Sequence, residues 1–168
     1  MVNDARKGPP VCLIVGTSGG GKTTLVEKLV AEFTCRGLKV ATAKGHKEPI
    51  QVDVPGKDTW RHRRAGAVVT FLVAAGETTA FMDREFASDP DSVAALCPPG
   101  VDLLIAEGFK THKGRPKVLV SPLDHASDDP DVLCVVSENP EKFQHVTSLN
   151  RNDYMKIADL IEERVLKA

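Results

Sequence analysis

The sequence predicts an α/β fold, a three-layer α/β/α sandwich built on a mainly parallel sheet. Three observations carry this expectation. Short apolar runs without polar alternation recur along the chain, as strands covered on both faces require. The first run passes through a glycine-rich turn into an amphipathic stretch, and a second apolar run follows. With 168 residues, the chain is long enough to bury one core without disulfides or metal staples. One domain over residues 11–168 is therefore expected, behind a flexible leader over residues 1–10 that ends in Gly8-Pro9-Pro10.

Taken in order, "VCLIV" at 11–15 reads as the first strand. In "KTTLVEKLVAEFTCRG", Leu25, Val26, Leu29, Val30 and Phe33 recur at helical spacing, and Gly37 supplies a C-terminal stop. The run at 38–43 is the next strand, so the two strands and their helix should form a parallel pair with a right-handed crossover. A helix over 57–66 leads to a strand at 67–73, and "GETTAFMDRE" offers a further strand paired antiparallel after Gly76. "DPDSVAAL" reads as a helix capped by Asp89 with Pro90 at its first position. Strands at 101–106, 117–120 and 132–136 follow. The last helix is "NDYMKIADLIEERVLKA", with Met155, Ile157, Leu160, Ile161 and Val165 as its apolar stripe.

Composition narrows the function classes. With 22 basic and 23 acidic residues the formal charge is -1, which gives no electrostatic case for nucleic acid or an anionic membrane as a partner. The longest apolar run, "AGAVVTFLVAAG", falls well short of the roughly 20 residues needed to span a bilayer. Cys12, Cys35, Cys97 and Cys134 form no C-x-x-C pair, and Cys12 and Cys134 lie in strand-like runs. Buried free thiols in a reducing compartment are expected, hence a cytoplasmic protein.

Gly16-Thr17-Ser18-Gly19-Gly20-Gly21-Lys22-Thr23 fits G-x-x-x-x-G-K-[ST] at every fixed position, after a predicted strand and before a predicted helix. Only a backbone with little side-chain bulk can wrap its N–H groups around phosphate oxygens, and the helix that follows adds the positive end of its dipole. Lys22 would reach the β and γ phosphates, the Thr23 hydroxyl would ligate Mg²⁺, and Thr24 would contact the α phosphate. The expected fold is thereby that of the P-loop NTPases. Such folds draw a second acidic arm from the end of another central strand, and in "VDLLIAEGFK" Glu107 directly follows an apolar run. Asp102 begins the same run and should sit at the far end.

The stretch "DVPGKDTWRHRRAGA" is less generic. On a helix Lys57, Arg61 and Arg64 share one face, and Asp58 and His62 stand at i, i+4. A solvated face also explains such charge.

In its blocks GTSGGGKTTLVEKL, PGKDTWRHRRAGA, LLIAEGFK and RPKVLV, in this order, the sequence resembles the molybdopterin-guanine dinucleotide biosynthesis adaptor family, MobB. The resemblance implies a P-loop protein that binds GTP with Mg²⁺ and has at most weak GTPase activity. It also implies a homodimer that assists the guanylyltransferase MobA in attaching GMP to molybdopterin. By matching positions the nucleotide role falls on Gly16 to Thr24 and the acidic strand-end role on Glu107. Lys57, Asp58, Arg61 and His62 match a block whose chemical role the resemblance does not settle. One departure stands out: family members commonly carry a histidine-rich segment after the second strand, beginning Lys-His. This chain reads "AKGHKEPIQVD" there, keeping only Lys44, His46 and Asp53, and no metal cluster is expected at that loop.

Two rival readings share the phosphate loop. A small-molecule kinase would need a base, for which Asp53 is the candidate, and a clamp on the acceptor phosphate, for which the Arg61 to Arg64 cluster is. A non-catalytic adaptor would use nucleotide only to order loops for a partner. The stretch "NRND" at 150–153 is near the N-K-x-D that reads guanine, but it follows no predicted strand, and Asn152 or Asp153 is accounted for as a helix cap.

Overall fold

The computed structural model describes residues 8–46, 48–82, 89–120, 129–143 and 145–167. Most of the expected leader, residues 1–7, lies outside them. The chain groups into two compact units, Met1–Gly45 with Asp89–Ala168, and His46–Ser88.

The larger unit is built on six parallel strands: β1 (Val11–Gly16), β2 (Val40–Lys44), β5 (Leu103–Glu107), β6 (Lys117–Val120), β7 (Val132–Ser137) and β8 (Ser148–Asn150). Their order across the sheet is β2-β5-β1-β6-β7-β8. Helices α1 (Lys22–Cys35) and α4 (Tyr154–Ile161) cover one face, and α3 (Pro90–Ala95) packs on the other. Among the described residues no helix is long and apolar enough to cross a membrane.

Strand alternation divides the core between the two faces. Cys12, Ile14, Leu103, Ile105, Val118, Val120, Cys134 and Val136 pack with Leu25, Leu29 and Phe33 of α1 and with Ile157, Ala158 and Ile161 of α4. Val11, Leu13, Val15, Leu104 and Ala106 form the opposite cluster with Ala94 of α3. Truncating the fully buried Phe33 to alanine would cost about 3–5 kcal/mol. All four cysteines are free, and burial pushes the Cys134 thiol up to about 12 and that of Cys12 higher still. The α3 cap forms as its residues predict: the Asp89 carboxylate accepts from the Asp91 and Ser92 amides at 2.9 Å each. At the far ends of α1 and α4, Arg36 joins Glu32, Asp159 and Glu162.

Three expectations change. β1 and β2 are parallel but not neighbours, because β5 pairs with both and lies between them. A strand-helix-strand pattern fixes direction, and leaves room for a later strand to enter. β8 was not expected, since three residues give too short a pattern to read. The apolar run at 67–73 is not a strand of the main sheet.

That run belongs to the smaller unit, which holds α2 (Asp58–Arg64) and the antiparallel pair β3 (Val69–Ala74) and β4 (Glu77–Met82). Ala74 pairs with Glu77, so the antiparallel pairing expected after Gly76 closes through a two-residue turn, with φ of 84° at Gly76. Neither face of β3 is well covered: Phe71 and Val73 are 61% and 73% exposed, and Leu72 between them is 51% exposed.

Candidate functional site

β1 ends at Gly16, where a Cβ would lie 2.0 Å from the Val120 carbonyl oxygen and φ is +144°, so a side chain is excluded twice over. The chain then turns through Gly19 and Gly21, both at positive φ, with the Gly20 amide donating to the Thr17 carbonyl at 3.2 Å. Gly21 is the N-cap of α1 and offers no side-chain cap. The first N–H groups of a 14-residue helix are thus left for another acceptor, at the positive end of its dipole.

Lys22 folds back to donate to the Thr17 carbonyl at 2.6 Å. Thr23, the next residue, donates its hydroxyl to Glu107 Oε2 at 2.9 Å. Thr17, Ser18 and Thr24 are exposed around the loop. Glu107 closes β5 beside Ile14 of β1 and is only 9% exposed. Its other oxygen lies 3.6 Å from Nζ of Lys44, its register partner at the end of β2. Asp102 sits at the opposite end, accepting from the Lys39 amide at 2.7 Å. After Glu107, Gly108 donates to the Ile14 carbonyl at 3.0 Å, and Phe109 follows with a left-handed φ of 56°.

Two oxygen ligands side by side, a hydroxyl and a carboxylate, suit a hard cation such as Mg²⁺, and the uncapped helix start suits an anion. The structure brings Thr23 and Glu107 together, and Lys44 joins them.

The other candidates lie in the smaller unit. Asp53 is 7% exposed, and its Oδ1 accepts from the Val54 amide and the Thr59 hydroxyl at 2.9 Å each. Its Oδ2 faces Arg63 at 3.6 Å. Oδ1 thus fixes the start of α2, while Oδ2 is buried and takes no hydrogen bond among the described residues. Lys57, Asp58, Arg61 and His62 are exposed, and Arg64 lies over the Trp60 ring at 5.2 Å. Among the described residues Asp58 and His62 form no ion pair.

Sequence reasoning missed Arg151. It sits in "NRND" just past β8, and its Nη2 donates to the Gly20 carbonyl at 3.0 Å. Contrary to expectation, that stretch does follow a strand, and Asp153 is the N-cap of α4. The missing signal was β8 itself.

Residues 11–139 match the family model of molybdopterin guanine dinucleotide synthesis protein B, MobB. The chain belongs to this family. It is 35% identical over 161 residues to the molybdopterin-guanine dinucleotide biosynthesis adapter protein of Haemophilus influenzae, covering 91% of this chain and 88% of that one. It is 31% identical to the adapter protein of the same name from Escherichia coli, with 94% of each chain covered. The solved structure of Bacillus subtilis MobB superposes with a TM-score of 0.65 at 25% identity, over 93% of this chain and 98% of that one. The MobB match thus spans the phosphate loop, Glu107 and the smaller unit, and ends at Asn139, before Arg151.

Proposed function

We propose that the protein is a GTP-binding adapter in the synthesis of the molybdopterin guanine dinucleotide form of the molybdenum cofactor. Its relatives from H. influenzae and E. coli carry the adapter role in their names. The observation that carries the nucleotide reading is the contact of Thr23 with Glu107 at the mouth of the uncapped α1. In this reading the loop amides and Lys22 bind the phosphates, while Thr23 and Glu107 hold Mg²⁺. The ion, when bound, neutralises charge on the β and γ oxygens.

The Lys44 ammonium, 3.6 Å from the other Glu107 oxygen, places a positive charge beside this carboxylate. In this reading hydrolysis is slow: Arg151, which reaches the loop, donates to the Gly20 carbonyl. An arginine supplied to the γ phosphate is worth on the order of 10³ to 10⁵ in rate. The chain then acts through its partner, the guanylyltransferase MobA, as a cytoplasmic homodimer whose subunits meet through the apolar β3–β4 hairpin.

The test has two parts: nucleotide competition at fixed Mg²⁺, and reconstituted dinucleotide synthesis from molybdopterin, GTP and MobA with and without this protein. The expected result is preference for GTP, slow turnover alone, and a higher dinucleotide yield. Tighter ATP binding with rapid transfer to a small acceptor would support a kinase instead. An unchanged yield would remove the adapter role.

A further inference from the structure

On the side of β1 away from Glu107, the carboxyl-edge turns of β7 and β8 close a cleft of about 240 Å³ against the phosphate loop. Gly19, Gly20, Ser137, Glu138, Asn139 and Arg151 line it. The glycines present bare backbone as one wall. The opposite turn is held in place: the Ser137 hydroxyl accepts from the Asn139 amide at 3.1 Å, and Asn150 donates to the Glu138 carbonyl at 3.5 Å. Arg151 spans the cleft, with Nη2 on the Gly20 carbonyl and Nη1 3.8 Å from the Glu138 carboxylate. Its Nε is buried and has no partner. A buried donor left unmet is costly, and it marks this end of the cleft as polar. The Glu138 side chain, by contrast, is 75% exposed at the lip.

We infer that this cleft receives the purine of a nucleotide and that Glu138 selects guanine over adenine. The inference rests on the phosphate-loop reading above. Ligands of open parallel sheets lie across the carboxyl ends of the strands. With phosphates at the loop and the metal side taken by Glu107 and Lys44, the rest of the nucleotide extends toward β7 and β8. Guanine presents two donors on one edge, N1–H and the exocyclic N2 amine, and an ionised carboxylate accepts both. Adenine presents a lone pair at N1 and no amine at C2, so the same carboxylate repels it. Asn139 adds an amide donor for O6 or N7.

The experiment compares GTP, ATP, XTP and inorganic tripolyphosphate as competitors on the wild-type protein and on Glu138→Gln. Xanthine carries a carbonyl where guanine carries its amine, so the new amide N–H has an acceptor. The variant should lose about 10- to 100-fold in GTP affinity, as a lost bidentate base contact does, and gain affinity for XTP. ATP and tripolyphosphate should change little. Equal loss of GTP and ATP, with no gain for XTP, would overturn the assignment of Glu138. Wild-type protein that binds neither tripolyphosphate nor any of the nucleotides would instead overturn the phosphate-loop reading, and this proposal with it.

Discussion

Thr23 and Glu107 stand 84 positions apart in the chain, yet the threonine hydroxyl donates to the glutamate carboxylate at 2.9 Å. The two side chains meet because α1 starts, and β5 ends, at the same edge of the sheet. Glu107→Ala should therefore weaken GTP binding about tenfold or more when Mg²⁺ is saturating. Affinity in EDTA should stay near wild type. Isothermal titration under both conditions checks this, and equal losses would make Glu107 a structural turn residue.

Lys22→Ala should lower triphosphate affinity on the order of 100-fold, since it deletes charge-assisted hydrogen bonds to phosphate. The fold should survive, because among the described residues the ammonium meets only the Thr17 carbonyl. Wild-type affinity in a variant with native circular dichroism would refute the phosphate-loop assignment.

Two glycines of the loop should respond differently to a methyl group. At Gly16 the added Cβ meets the Val120 carbonyl at 2.0 Å, so Gly16→Ala should destabilise by about 3 kcal/mol or more. At Gly19 nothing lies within 4 Å, and Gly19→Ala should cost only the left-handed penalty of about 1–2 kcal/mol. Urea unfolding of both variants tests the contrast, and similar losses would contradict it.

Lys117, 1% exposed, pairs with Asp129 at 2.5 Å and with Asp131 at 3.6 Å. The hydrogen bond from Lys117 holds the Asp129 carboxyl below its ordinary value of 3.8. A depressed carboxylate stabilises the fold above its unfolded value, and that contribution is lost as pH falls through the lower, folded value. Asp129→Asn should destabilise by about 2–3 kcal/mol at neutral pH, with Asp131 limiting the loss. The variant should also lose less stability than wild type on acidification below pH 4. Parallel pH profiles in urea melts would show that the pair contributes nothing.

The hairpin offers the last test. Phe71→Ser with Val73→Ser removes the most exposed apolar side chains of β3 without touching Thr70, which is buried. The proposed dimer should give way to monomer in light scattering after gel filtration, while phosphate-loop binding persists. A dimer of unchanged strength would place the interface elsewhere.

Much of this was legible in residues. The glycine spacing of 16–21 located the loop because left-handed turns and close backbone contact admit little else, and Asp89-Pro90 located a helix start because both residues suit a first turn. Gly76 located the hairpin turn for the same reason. What escaped reading depended on partners distant in sequence. Nothing in 38–43 could reveal that β5 would enter between β1 and β2. The Thr59 and Arg63 partners of Asp53 were not readable, and Arg151 drew no reading of its own until β8 carried it to Gly20.

The alternation along β5 carries a further consequence. Leu103 and Ile105 face α1, Leu104 and Ala106 face away, and Glu107 falls in step with the first pair. A slip of one position would turn Glu107 from Thr23 and would also exchange the two buried sets. Core packing and the Thr23–Glu107 contact are thus read from one ruler. A misregistered chain forfeits its core in the same error that parts Glu107 from Thr23, so selection for the core also guards this contact.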